Sequence, residues 1–198
     1  MSSASAELRS RNLRTLGVLA GLFVLPLLLS FWMYYATDWR PSTHVNHGEL
    51  VTPARPLPPH ADLPVVSGDA RALFSRNWSV VYIGRGNCDD SCRNSLYVMR
   101  QTRLALNNEM GRVERVFLVT ADCCERGFLS KEHSGMVVLD ASGPAASGLL
   151  DAFPQAERAH SLFVVDPLGN LMMRFDTRQN PKGLLQDLQK LLRLSHIG

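Results

Sequence analysis

Neither a basic block nor an aromatic-interleaved cationic stripe occurs in these 198 residues, so the usual footprint of a nucleic-acid binder is missing. No internal repeat is visible, which leaves no sign of a repeat architecture. Charge of one sign is not in excess either. Of the chain's 21 Lys and Arg and 18 Asp and Glu, four arginines and two acids precede Pro41, leaving 17 against 16 from there onward. The net charge of +3 therefore belongs to the N-terminal flank and says little about partners. Cysteine is scarce, at four residues, and the C-x-x-C spacing of common thiol–disulfide catalysts is absent.

Charge is missing altogether from Leu16 to Ala36, LGVLAGLFVLPLLLSFWMYYA, a run of 21 residues. A bilayer core needs roughly 20 apolar residues as a helix, so this run can span it. Trp32, Tyr34, Tyr35 and Trp39 cluster at its far end, where amphipathic rings favour the headgroup layer. Pro26 lies mid-span, which a membrane helix tolerates with a kink. A cleavable signal peptide would have a shorter apolar region, about 7–15 residues, followed by small residues. Here bulky aromatics occupy that place, so an uncleaved anchor over 15–37 is expected. Arg9, Arg11 and Arg14 precede the span and Arg40 alone follows closely, which puts the tail 1–14 in the cytoplasm. The rest is then exported, on the periplasmic side of the inner (plasma) membrane.

Residues 41–64 contain six prolines and no helical or strand periodicity. They read as part of an extended linker over 38–64 that holds a domain, 65–198, off the membrane. Within that domain WSVVYIG (78–84), VERVFLVT (113–120) and MVVLD (136–140) are expected strands. Residues 89–110 lack Gly and Pro and carry Leu96, Met99 and Leu106 at helical spacing. AASGLLDAF (145–153) suggests a short helix, and SLFVVD and LMMRFD flank a Pro167-Leu168-Gly169-Asn170 hairpin turn. Leu184, Leu185, Leu188, Leu191 and Leu192 mark one face of a C-terminal helix over 182–194. This order is that of an α/β, thioredoxin-like sandwich.

Cys88 falls where a strand hands over to a helix, and Cys92 one turn later. Residues i and i+4 share a helical face, so both sulfurs can converge. A helix N-terminus favours thiolate over thiol, and a close thiolate pair can ligate soft metals or cycle through a disulfide. A structural disulfide or two buried inert thiols are the bland alternatives; a bridge closing so small a loop constrains the unfolded chain little. Cys123 and Cys124 follow the second strand at the sheet end where the first pair emerges. Adjacent cysteines are poorly disposed to bridge each other. The pair reads as loop thiols without a catalytic role, or as an auxiliary ligand or resolving thiol for Cys88 or Cys92.

A strand ending in Gly84, then Cys88, Asp90 and Cys92 at a helix start, followed by AHSLFVVDPLGNLMMRF, resembles the Sco/SenC assembly factors of cytochrome c oxidase. The resemblance covers roughly residues 62–195 plus the anchor. It implies a thioredoxin-like domain in which Cys88, Cys92 and His160 bind one copper, with Asp166, Pro167 and Gly169 forming the turn after the histidine strand. It also implies oxidase subunit II, or other oxidase assembly factors, as partners. The cis-proline that thioredoxins place before that strand is absent here, as in the Sco branch. Asp89 and Arg93 stand where the family keeps proline, which would set a cation beside the second sulfur.

Three functions follow as expectations: a copper-binding metallochaperone, a thiol–disulfide reductase working through Cys88 and Cys92 without copper, and a degenerate interaction module. Among the other histidines His133 is a weaker ligand candidate, while His44 and His47 belong to the linker and His60 and His196 carry no pattern. Met99, Met136, Met172 and Met173 read as core.

Overall fold

The computed structural model describes residues 3–36, 46–58, 63–71 and 73–195. They divide into two compact units, Met1–His44 and Val45–Gly198. The first contains one helix, α1 (Ser3–Ala36), with Pro26 inside it. Its stretch Asn12–Ala36 is long and apolar enough to cross a membrane, with mean hydropathy 2.2.

In the second unit a seven-stranded sheet runs in the order β1-β7-β6-β3-β4-β5-β2. The strands are β1 (Glu49–Pro56), β2 (Val65–Ser67), β3 (Trp78–Gly84), β4 (Val113–Val119), β5 (Val137–Asp140), β6 (Ser161–Val165) and β7 (Asn170–Asp176). β3, β4 and β5 are parallel, and β6 and β7 add to β3 as an antiparallel hairpin. β3 is buried from Trp78 to Ile83, as an unbroken β-branched and aromatic run should be in a central strand covered on both faces. Alternate side chains feed two cores: Val80 and Tyr82 lie with α2 (Asp90–Ala105) and α5 (Pro181–Leu194), while Val81 and Ile83 lie with α4 (Ser147–Ala152). A further helix, α3 (Arg126–Glu132), follows β4.

Two differences from the sequence reading matter. The helix expected over 89–110 ends at Ala105 and gives way to a 3-10 segment, Asn107–Arg112. The proline-rich stretch is not wholly a linker: Glu49–Pro56 pairs with β7 as an edge strand, with a register shift between Leu50 and Arg55. Prolines are tolerated there because an edge strand leaves some N–H groups unused, and its mostly exposed side chains erase the alternation that would have announced it. The folded unit therefore begins near Val45, about twenty residues before the expected boundary. Asp187 of α5 fastens this entry. Its carboxylate is 3 % exposed and accepts the backbone N–H groups of His47, at 2.9 Å, and Gly48, at 2.8 Å.

Candidate redox site

β3 ends at Gly84, and the chain crosses five residues before entering α2. Asp89 is the N-cap: its carboxylate accepts the Cys92 N–H at 2.9 Å, satisfying one of the donors a helix start leaves unpaired. Asp89, which stands where the resemblance to Sco/SenC proteins leads one to expect proline, thus pins the second cysteine. Cys88 and Cys92 are joined in a disulfide with their Cα atoms 5.1 Å apart, and they are 3 % and 2 % exposed. Cys92, unlike Cys88, lines a cleft of about 560 Å³ walled by Tyr82, Arg85, Asp151 and Arg158 among others. Burial, with the nearby Asp89 charge, pushes the Tyr82 phenol well above its ordinary value, so the ring stays neutral beneath the cleft.

Arg93 does not direct its charge at the second sulfur. Its Nε donates to the Cys88 carbonyl at 3.1 Å, a terminal nitrogen meets Glu125 at 2.6 Å, and the guanidinium lies 4.3 Å from the Phe128 ring centre. These contacts tie the first cysteine loop to the segment after β4. Gly86 adds two backbone bonds, its N–H to Ala121 at 2.7 Å and its carbonyl from Glu125 at 3.1 Å, and Arg85 Nε donates to Asp122 at 3.0 Å. A Cβ on Gly86 would lie 2.5 Å from the Asp122 carbonyl oxygen and 2.7 Å from the Cys123 Cα, so the close approach of the two loops requires glycine.

Cys123 and Cys124 are bonded to each other, against the expectation that adjacent cysteines stay apart. The peptide between them is cis. Cys123 is exposed, whereas Cys124 is half-buried and packs against the apolar cluster that contains Cys88 and Cys92.

His160 closes a 3-10 turn, Arg158–His160, that leads into β6. Its carbonyl accepts from Thr177 N at 2.8 Å, and Ser95 of α2 bonds both the Thr177 hydroxyl, at 3.1 Å, and the Ala159 carbonyl, at 3.3 Å. The histidine's backbone is thus docked on α2 one turn past Cys92. Its side chain does not complete a metal centre in this disulfide state: among the described residues, no group of three or more His, Cys, Asp or Glu is placed to hold a metal ion. Nor does a cis-proline precede β6; the cis bonds among the described residues are Thr52–Pro53 and Cys123–Cys124.

His133 is buried at the end of α3, its ring edge-on to Phe128 with centres 4.9 Å apart. Burial, reinforced by Arg115 and Arg100, holds its pKa down at about 4. Met99, Met136 and Met173 are core, and Met172 is partly buried against it. His44, His60 and His196 lie outside the described residues. Sequence reasoning missed Asp89 as a cap and Glu125 as the partner of Arg93. The first was readable as an acid three residues before Cys92 at a helix start; the second depends on tertiary contact alone.

A family model described as "Transmembrane-like, thioredoxin-like, C-terminal domain" matches residues 78–195. No curated protein matches the chain in sequence. Among solved structures, apo Sco1 from Thermus thermophilus is similar at TM-score 0.58 and 17 % identity, over 76 % of this chain and 99 % of that one. Yeast Sco1 with copper bound gives TM-score 0.53 and 15 % identity, over 61 % and 80 %. Arabidopsis thaliana ScoI with copper bound gives 0.52 and 14 %, over 62 % and 88 %. At such identities the likeness shows the fold alone, a thioredoxin-like sandwich of the kind these Sco structures have. With the family model covering well over half of its residues, the chain belongs to the transmembrane-like, thioredoxin-like C-terminal domain family.

Proposed function

We propose that this chain is a membrane-anchored, Sco-like thiol redox factor for cytochrome c oxidase assembly, with Cys88 and Cys92 as its working pair. The anchor leaves the N-terminus in the cytoplasm and carries the thioredoxin-like unit on the periplasmic side. The observation that carries the reading is the Cys88–Cys92 disulfide at the β3–α2 junction, buried yet with Cys92 on a cleft wall. As a dithiol the pair can reduce a client disulfide: one thiolate attacks a client sulfur, and the other resolves the mixed disulfide. The client proposed is oxidase subunit II, whose copper-site cysteines must be reduced before metal enters. The reduced full-length protein in detergent should reduce the disulfide-bonded soluble domain of subunit II, and a Cys88→Ser/Cys92→Ser variant should not. Equal rates for the two proteins would sink the proposal.

A second reading has Cys88, Cys92 and His160 hold one copper once the disulfide opens. It is favoured by the donor set, since two thiolates and an imidazole suit copper, and by the copper bound in yeast and Arabidopsis neighbours of the same fold. In the disulfide state the set does not fit a metal, because the sulfurs are bonded to each other and His160 is not grouped with them. Copper titration of the reduced protein separates the readings. About one copper per chain, weakened sharply by His160→Ala, supports the metal site; no uptake above the two-cysteine variant leaves thiol exchange alone.

A further inference from the structure

We propose that the Cys123–Cys124 pair is an electron-entry relay for Cys88–Cys92, accepting electrons from an external dithiol protein at the surface and passing them inward. This rests on the redox reading above. In the disulfide state that a donor must meet, Cys88 and Cys92 are 3 % and 2 % exposed, so a folded donor has little access to either sulfur, and thiol–disulfide exchange requires direct attack on one of them. The client instead meets the reduced pair, whose thiols are no longer tied to each other, with Cys92 on the cleft wall. The second pair offers what the first withholds. Cys123 is exposed, and its bonded neighbour Cys124 packs against the cluster holding the buried disulfide.

The loops that carry the two pairs are fastened together. Gly86 and Glu125 exchange a backbone bond, Arg85 pairs with Asp122, and Arg93 bridges the Cys88 carbonyl to Glu125, the residue after Cys124. The Cys88 end of the buried disulfide is therefore tied to the second loop, while Cys92 lines the cleft. The client is served at the cleft, and electrons arrive from the opposite end.

The exchange balances in two steps. A donor thiolate attacks Cys123 Sγ, breaking the Cys123–Cys124 bond and releasing Cys124. The donor's second thiolate then displaces Cys123 and leaves the donor as a disulfide. Next, the Cys124 thiolate attacks Cys88 Sγ and expels Cys92. The Cys123 thiolate attacks Cys124 Sγ in that mixed disulfide, re-forming Cys123–Cys124 and releasing Cys88. Cys88 and Cys92 take up the two protons that the donor thiols lose, so two electrons and two protons pass from donor to the buried pair.

The test uses the full chain in detergent with reduced thioredoxin as donor, and follows Cys88 and Cys92 by differential alkylation and mass spectrometry. In a Cys123→Ser/Cys124→Ser variant the initial rate of their reduction should fall at least tenfold. Equal rates would overturn the relay. A pair that stays oxidised in both proteins would overturn the redox reading itself, and the relay with it. Because removing the second pair could loosen its loop, a Cys92→Ser/Cys123→Ser variant serves as a second test. Mild oxidation with diamide should link Cys88 to Cys124, read as a cross-linked peptide. If both thiols remain free, the relay is wrong.

Discussion

His133 is the buried imidazole whose protonation the fold resists most plainly. Its pKa sits at about 4, chiefly because burial disfavours the cation, and Arg115 and Arg100 add to that. The unfolded chain would titrate near 6.5. Above that pH neither state binds the proton and this contribution to stability is fully present. Between 6.5 and 4 the unfolded state gains a proton that the native state refuses, so stability falls as pH falls through that window. At about 1.4 kcal/mol per unit the loss reaches up to about 3 kcal/mol, and it levels off below pH 4. Urea unfolding of the full chain at pH 7 and pH 4.5, followed through tryptophan fluorescence, should show this decline, and His133→Gln should flatten much of it. An unchanged slope in the variant would assign the acid sensitivity elsewhere. At this scale the sequence was partly legible. The place of Cys88 and Cys92 at a helix start followed from a strand pattern; a shared helical face does not join them, since Cys88 precedes the Asp89 cap and the helix begins at Asp90. The partners of Arg93 were not legible, because they arise from two loops meeting across the top of the sheet, nor was the bonding of Cys123 to Cys124, which depends on the conformation of their own loop.

Among the elements, β1 is the least self-evident. Its prolines and exposed side chains conceal a strand, and what holds it is the β7 ladder together with the Asp187 carboxylate of α5. Asp187→Ala would remove the acceptor of the His47 and Gly48 N–H groups; the Gly48 donor is buried, and an unpaired buried donor costs roughly 1–3 kcal/mol, whereas His47 is exposed and can turn to water. The expected outcome is a loss of about 1–3 kcal/mol in unfolding free energy, most of it from the buried Gly48 donor. Hydrogen exchange should localise it, with β1 amides exchanging faster while β3 and β4 stay protected; uniform acceleration would contradict a local latch. Elements with strong internal pattern were legible almost to the residue, as with Trp78–Gly84, Ser161–Val165 and the leucine face of α5. Those that owe their form to neighbours, β1, β2 and α3, left no periodicity to read.

For the whole molecule, the order β1-β7-β6-β3-β4-β5-β2 brings the ends of β3 and β4 side by side, and with them both cysteine loops. The hairpin β6–β7 joins β3 from the other flank and delivers the 159–160 turn to α2. One sheet end thus gathers every cysteine in the chain, served by a helix able to anchor it to a membrane. This gathering was foreseeable from the thioredoxin-like order of elements, whereas the split into a buried pair and a surface pair required the packed structure. The proposed function requires Cys88–Cys92 to cycle between disulfide and dithiol. Its most direct test is the reduction potential of that pair in the full-length protein, measured against a graded dithiol buffer. A cycling pair should have a value in the range of exchanging protein dithiols, about −180 to −270 mV. A value below about −300 mV, where structural disulfides lie, would mean a locked bridge and would contradict that function.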